Sequence, residues 1–305
     1  MFNAANFVLP LALTPFLAGQ GVDSQAESEF TLRTSSQLVV LNVGVSDVHG
    51  AEIRGLKAED FKVYEDGHPQ AVKQFAAEDR PVTVGIVLDA SGSMRTKQAE
   101  VVTAALAFVH SSNPDDEVFV VTFNDHASLG LPSKIPFSQN ANDLGAALLG
   151  RKPEGKTALY DALVLAADHL GKGKWENKAL LLISDGGDNN STHTLTEAIQ
   201  AVQKSWATVY AIAFFDPDEP EHNLGVLHRL SKLSGGEFFA PKELTEIHSL
   251  CVRIAEDLRA SYTVAYTPPY PENHTASRKI KVVVTNPERG KLLVRTRDSY
   301  ILADR

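Results

Sequence analysis

A carboxylate followed at alternate positions by two hydroxyls, Asp89-Ala90-Ser91-Gly92-Ser93, carries the clearest chemistry in this chain of 305 residues. Asp89, Ser91 and Ser93 place oxygen donors on one tight loop, a set that suits a hard divalent cation. The residues before it, Val82 to Leu88, are a short apolar run rich in β-branched side chains, which reads as a strand buried on both faces. Ligands of open α/β sheets bind just beyond the carboxyl ends of strands. The loop is therefore half of a metal site, and the other half must come from elsewhere in the chain.

Two later loops offer it. Gly155-Lys156-Thr157 is a turn opening a helix through Leu159, Leu163, Ala166 and Leu170, with Thr157 placed as the N-cap. Asp185 ends the apolar strand Lys178–Ser184. In a doubly wound sheet Asp89 and Asp185 both fall at the carboxyl edge, near the point where the strand order reverses. The cluster Asp89, Ser91, Ser93, Thr157 and Asp185 is all oxygen, with no His or Cys, and so favours Mg²⁺, Mn²⁺ or Ca²⁺ over zinc or copper. A lone Asp-x-Ser-x-Ser is weak, because Ser and Asp after a strand commonly cap helices. Matching loops in strand–loop–helix context make the signal specific. Asp161 reads as a supporting carboxylate on a helix face and His193 as structural. Asp188-Asn189-Asn190 lacks the spacing of a calcium-binding EF-hand loop and reads as a solvated turn, as does the acidic stretch Asp216 to Glu221.

The elements that must position these loops alternate between strand and helix. Helical spacing covers Thr96–Val109, Asn142–Leu149, Leu195–Trp206, Leu224–Leu233 and Leu244–Leu258; apolar strands are Glu117–Phe123, Thr208–Phe215 and Glu237–Phe239, with an edge strand near Lys134–Phe137. This pattern predicts an α/β fold: a doubly wound, mainly parallel sheet flanked by helices. The flanks are all β. Leu38–Val45 alternates, Phe61–Tyr64 and Ala71–Phe75 bracket an Asp66-Gly67 hairpin turn, and Tyr262–Tyr266, Ile280–Val284 and Leu292–Val294 alternate again. Each flank is small for an independent core. The expected organisation is a leader and linker at 1–30, a β segment at 31–79, the α/β domain at 80–258 and a β segment at 259–305. The two β segments are expected to pack together as one discontinuous β-sandwich, in which the α/β domain is inserted; two separate small β modules are the rival reading.

Composition narrows the function. The net charge of −9 argues against nucleic acid and against an anionic membrane surface. The single cysteine, Cys251, excludes an internal disulfide and reads as a buried structural thiol. Phe7 to Ala18 has the length of a signal-peptide core, with small residues following at Gly19 and Gly21, which points to export to the periplasm or cell surface. No later stretch is long and apolar enough for a membrane span. No phosphate-binding loop, nucleophile elbow or metalloprotease signature is present, and the motif loops offer no general base, so the chain is read as a non-enzyme.

Asp-Ala-Ser-Gly-Ser at 89–93 resembles the Asp-x-Ser-x-Ser signature of von Willebrand factor type A domains. Gly155 to Asp161 resembles that family's second loop and Ile183-Ser184-Asp185-Gly186 its third, so the resemblance covers roughly residues 81–258. The run Glu59 to Gly67, Glu-Asp-Phe-Lys-Val-Tyr-Glu-Asp-Gly, is similar to bacterial VWFA-related proteins of the acidobacterial type, which tend to be exported. The resemblance implies a metal-ion-dependent adhesion site (MIDAS). Ser91, Ser93 and Thr157 would be hydroxyl ligands, Asp89 and Asp185 would bind directly or through water, and one position stays open for an Asp or Glu of a partner protein. Lys156 departs from the small residue often found there. Two alternatives keep the same residues: a structural component whose site is filled internally, and a metal-dependent hydrolase.

Overall fold

The strand that carries Asp89 is buried along its whole length, as its unbroken apolar run requires: β5 (Thr83–Asp89) lies between β6 (Glu117–Phe123) and β8 (Lys178–Ser184), parallel to both. The computed structural model describes residues 38–77, 79–214, 223–269 and 277–301. The leader and the acidic stretch Asp216–Glu221 lie outside the described residues. The remaining strands in chain order are β1 (Val39–Ser46), β2 (Phe61–Glu65), β3 (His68–Gln70), β4 (Val72–Ala76), β7 (Ala127–Leu129), β9 (Thr208–Ala213), β10 (Phe238–Phe239), β11 (Tyr262–Tyr266), β12 (Ser277–Val284), β13 (Leu293–Arg295) and β14 (Ser299–Ile301). The α-helices are α1 (Gln98–Ser111), α2 (Ala141–Leu149), α3 (Leu159–Leu170), α4 (Leu195–Ser205), α5 (Leu224–Ser234) and α6 (Glu246–Ala260).

The six-stranded sheet runs β10-β9-β8-β5-β6-β7, parallel except for the β6–β7 hairpin. From β5 the chain steps to β6 on one side and later returns through β8 to the other. Right-handed crossovers in opposite directions put the helices on opposite faces, with α1 against α6 and α2, and α3 against α4. The order reverses between β5 and β8, so the loops after Asp89 and Ser184 flank the switch point. The core is drawn from both faces and includes Ile86, Leu88, Phe108, Phe119, Leu163 and Cys251, whose thiol is pushed up to about 12 by burial.

One edge strand differs from expectation. It forms at Ala127–Leu129, not at Lys134–Phe137, because Asn124–His126 turns tightly and sends the chain straight back along β6. Phe137 packs edge-on against Phe119 instead.

The flanking segments build two four-stranded antiparallel sheets, β13-β1-β11-β4 and β14-β12-β2-β3. Alternate residues of β1 (Val39, Leu41, Val43 and Val45) join Phe61, Val63, Tyr262, Val264, Ile280 and Val282 in one apolar cluster drawn from both sheets. The hairpin turn at Asp66-Gly67 has positive φ at both residues. The strand expected over Ala71–Phe75 forms as β4, but it is not the hairpin partner of β2: the short β3 takes that place, and β4 pairs with β11.

Candidate metal centre

Asp89 is the last residue of β5, and the chain must leave the sheet there. The Ser91 amide turns back to donate to Asp89 Oδ1 at 2.8 Å, a local turn that fixes the carboxylate. A short 3₁₀ turn at Gly92–Met94 then carries Ser93 towards the sheet edge before α1 begins. From the neighbouring strand, the fully buried Ser184 hydroxyl donates to Asp89 Oδ2 at 2.6 Å and accepts from the Gly186 amide. Asp185 Oδ1 accepts from the Gly187 amide at 3.0 Å, and its Oδ2 accepts from the Ser93 hydroxyl at 2.7 Å. The Ser91 and Ser93 hydroxyls share a hydrogen bond at 3.1 Å. Four of the candidate residues thus converge directly: Asp89, Ser91, Ser93 and Asp185.

Two carboxylates meet here in a dry place. Asp89 is 2% and Asp185 5% exposed, and among the described residues neither has an ion pair. Burial, then the charge of Asp185, raises the Asp89 carboxyl to about 6, against the pull of the Ser184 and Ser91 hydrogen bonds. A hard cation between such groups removes the cost of holding them both ionised, and the hydroxyls beside them complete an all-oxygen donor set. The residues therefore fit a divalent ion. Among the described residues no three His, Cys, Asp or Glu side chains converge, so the set depends on hydroxyls.

Thr157 reaches the same edge by backbone contacts. The Gly92 amide donates to the Gly155 carbonyl at 3.2 Å, and the Glu154 amide to the Ala90 carbonyl at 3.0 Å, which joins the second loop to the first. Gly155 has φ +79°, and a Cβ there would sit 2.5 Å from Asp125 Oδ2, so glycine is required for the close approach. Thr157 is not the N-cap of α3. That position belongs to Ala158, and the first amides of the helix are satisfied from the third loop: Tyr160 N donates to Asp188 Oδ1 and Asp161 N to Ser191 Oγ. The Thr157 hydroxyl makes no hydrogen bond among the described residues, and the residue is 8% exposed.

Asp188, Asn189 and Asn190 form a partly exposed turn, as expected, but one that also binds the second loop. Asn189 Oδ1 accepts from the Thr157 amide at 2.9 Å, while the Asn189 and Asn190 amides donate to the Thr157 carbonyl. Asn190 Nδ2 also donates to the Asp125 carbonyl at 2.7 Å, and the Lys156 amide donates to Asp125 Oδ1 at 2.9 Å. Sequence reasoning missed Asp125, Ser184, Asp188 and Asn189 as positioning residues. The available signal was the run of Asx residues directly after a strand, whose side chains habitually take up backbone amides. Asp161 accepts from the Thr192 and His193 amides and from the His193 ring, which accounts for both of these side chains as supports of the third loop. Lys156 is exposed beside Thr157.

Residues 84–188 match the family model of the von Willebrand factor type A domain. An uncharacterized protein of Synechocystis sp. is 27% identical over 139 residues, which are 45% of this chain and 33% of that protein. The chain thus spans about a third of the length of the curated relative it matches. Among solved structures, a von Willebrand factor type A protein from Catenulispora acidiphila superposes with a TM-score of 0.53 at 15% identity, covering 79% of this chain and 73% of the other. The fold, the family match and the three loops at one sheet edge lead to one assignment: the chain carries a von Willebrand factor type A domain.

Proposed function

We propose that this chain is a divalent-cation-dependent protein-binding module, in which Asp89, Ser91, Ser93, Thr157 and Asp185 hold Mg²⁺, or Mn²⁺ or Ca²⁺, and a partner protein contributes an Asp or Glu side chain. When bound, the cation supplies positive charge and an open coordination position for that carboxylate. The observation that carries the reading is the buried pair Asp89 and Asp185, linked through Ser91, whose amide donates to Asp89, and the Ser91 and Ser93 hydroxyls, with no cationic side chain paired to either among the described residues. Ser184 and the Ser91 amide hold Asp89, Gly187 N holds Asp185, and Asn189 holds the Thr157 loop, so the donors stand ready before any ligand arrives.

The reading is non-catalytic. A hydrolase needs a base within reach of an attacking water. The nearby Asp125 and Asp188 are engaged by backbone amides, and His193 is held by Asp161. Export is part of the proposal, on the strength of the apolar run Phe7–Ala18. We also take the β segments 31–79 and 259–305 as one discontinuous unit; the pairing of β1 with β11 and β13, and of β2 with β12, supports this.

The test is capture from an extract of the source organism on immobilised protein, in Mg²⁺ and in EDTA. Partners should be retained in Mg²⁺ and released by EDTA, and they should be missing from Asp89→Ala in either condition. The same captured set in both conditions removes the adhesion reading.

A further inference from the structure

A cleft of about 690 Å³ follows the groove between α3 and α4 and opens at the amino-terminal edge of the six-stranded sheet, away from the Asp89 cluster. Arg297, in the turn between β13 and β14, lines it and is 5% exposed. Its guanidinium lies over the Trp206 ring, with Cζ 4.4 Å from the centroid. Nη1 is buried without a partner, and among the described residues no hydrogen bond or ion pair reaches the group.

This placement is built by the backbone. Gly235, at φ +81°, ends α5 so close to the Thr296–Arg297 peptide that a Cβ there would lie 2.3 Å from Arg297 N. Arg297 is therefore fixed against the end of α5, with its side chain committed to the cleft wall. A buried, unpaired charge is costly, and the carboxyl ends of α4 and α5 offset only part of that cost. Burial pulls the Arg297 pKa down to about 10, so the group is still a cation at neutral pH.

The remaining lining defines the ligand. Lys178, half-buried, adds a second cation to the lining, and Val164, Ala167 and Ala201 make one wall apolar. Asp168, Glu176 and Glu197 are exposed around the rim, with Lys204 as the rim cation. Those carboxylates repel a dense polyanion far more than a single carboxylate carried on an apolar body.

We propose that this cleft binds a small monocarboxylate, whose carboxylate takes the paired donors of Arg297 beside Trp206 while its apolar body lies along the α3–α4 groove. Guanidinium matches carboxylate in a planar two-point geometry, and stacking on the indole holds the fork in orientation. The ligand is either a free organic acid or the carboxyl terminus of a peptide.

The experiment uses the full chain at constant ionic strength, titrated with benzoate as the free acid, with N-acetyl-alanyl-alanine as the peptide terminus, and with inorganic phosphate. Thermal unfolding is followed together with tryptophan emission in a Trp175→Phe background, which leaves Trp206 as the reporter. A carboxylate should raise Tm saturably by about 2–3 °C at ten times its Kd. It should also change Trp206 emission, and whichever of the two acids binds identifies the source. Arg297→Gln should weaken binding at least about tenfold, Arg297→Lys less, and EDTA should leave the response intact. Lys178→Met gives a second variant should Arg297→Gln not fold. Three results overturn the proposal: no saturable response to either acid, an unchanged response in Arg297→Gln, or saturation by phosphate in place of the carboxylates.

Discussion

The two edges of the six-stranded sheet bury charges of opposite sign. At the carboxyl edge, Asp89 and Asp185 stand together, each held by a backbone amide and a serine hydroxyl. At the amino edge, Arg297 lies over the Trp206 ring with no hydrogen bond among the described residues. Each carboxyl-edge charge is supported by an amide two residues along its own loop and by a serine hydroxyl from the loop or strand beside it. The amino-edge charge is supported by an indole and by backbone packing between segments far apart in sequence. Local hydrogen bonding prepares a site for an ion of fixed geometry, whereas stacking leaves a fork of donors open to whatever fits beside it.

The comparison can be broken most severely at Asp185. Asp185→Ala removes half of the carboxylate charge and the acceptor of Ser93, and should lower divalent-cation affinity by on the order of a thousandfold. Binding of Mn²⁺ measured calorimetrically checks this; an affinity within tenfold of the parent would detach Asp185 from the site.

Next comes the cost of ionising Asp89 without a cation. Its folded pKa, about 6, lies above the ordinary 3.8, so its contribution to stability is present below about pH 4 and is lost as pH rises through 6. In EDTA, Asp89→Asn should therefore match the parent near pH 4 and exceed it by about 3 kcal/mol above pH 7. Saturating Mg²⁺ should reverse that order. Asp116, raised to about 6 by burial and only partly offset by the Val82 and Asn113 amides, titrates in the same window. The urea denaturation comparison must therefore be made between parent and variant at each pH.

Smaller effects sharpen the roles of individual oxygens. Thr157→Val should lower cation affinity about tenfold while moving stability by under about 0.5 kcal/mol, because the hydroxyl has no hydrogen-bond partner to lose among the described residues. Asn189→Ala should weaken the cation by about tenfold or more, through the Thr157 amide, and should also cost stability. At the other edge, Arg297→Met keeps contact with Trp206 and removes the unpaired charge, and should raise stability by about 1 kcal/mol in the absence of an added carboxylate.

What was legible in the sequence divides along the same line. Strands buried on both faces announce themselves as unbroken apolar runs, so β5, β6, β8 and β9 and the sheet they form could be read directly. The Asp-x-Ser-x-Ser loop and Asp185 followed from standing at the ends of those strands. Thr157 was placed at the right edge for the wrong local reason: its neighbour Ala158 takes the cap position because Asp188 and Ser191 reach across to serve the helix. Such service comes from another loop, and no spacing within Gly155–Asp161 encodes it. The edge strand was misplaced because Lys134–Phe137 carries an apolar pattern that is used for packing on Phe119 and His169 instead of for pairing. Arg297 carried no signal at all. An arginine in the turn between two short strands looks exposed, and its burial arises only when the chain after β13 meets the end of α5.

The central claim is that the five oxygens at the carboxyl edge hold one divalent cation. The most direct measurement is a calorimetric titration of EDTA-stripped protein with Mg²⁺ and Mn²⁺ at pH 7.5, on the parent chain and on the double variant Asp89→Asn, Asp185→Asn. The account predicts a single saturable site per chain in the parent and no heat of binding in a double variant that is folded by circular dichroism. A parent that binds neither ion, or a double variant that binds as the parent does, would contradict it.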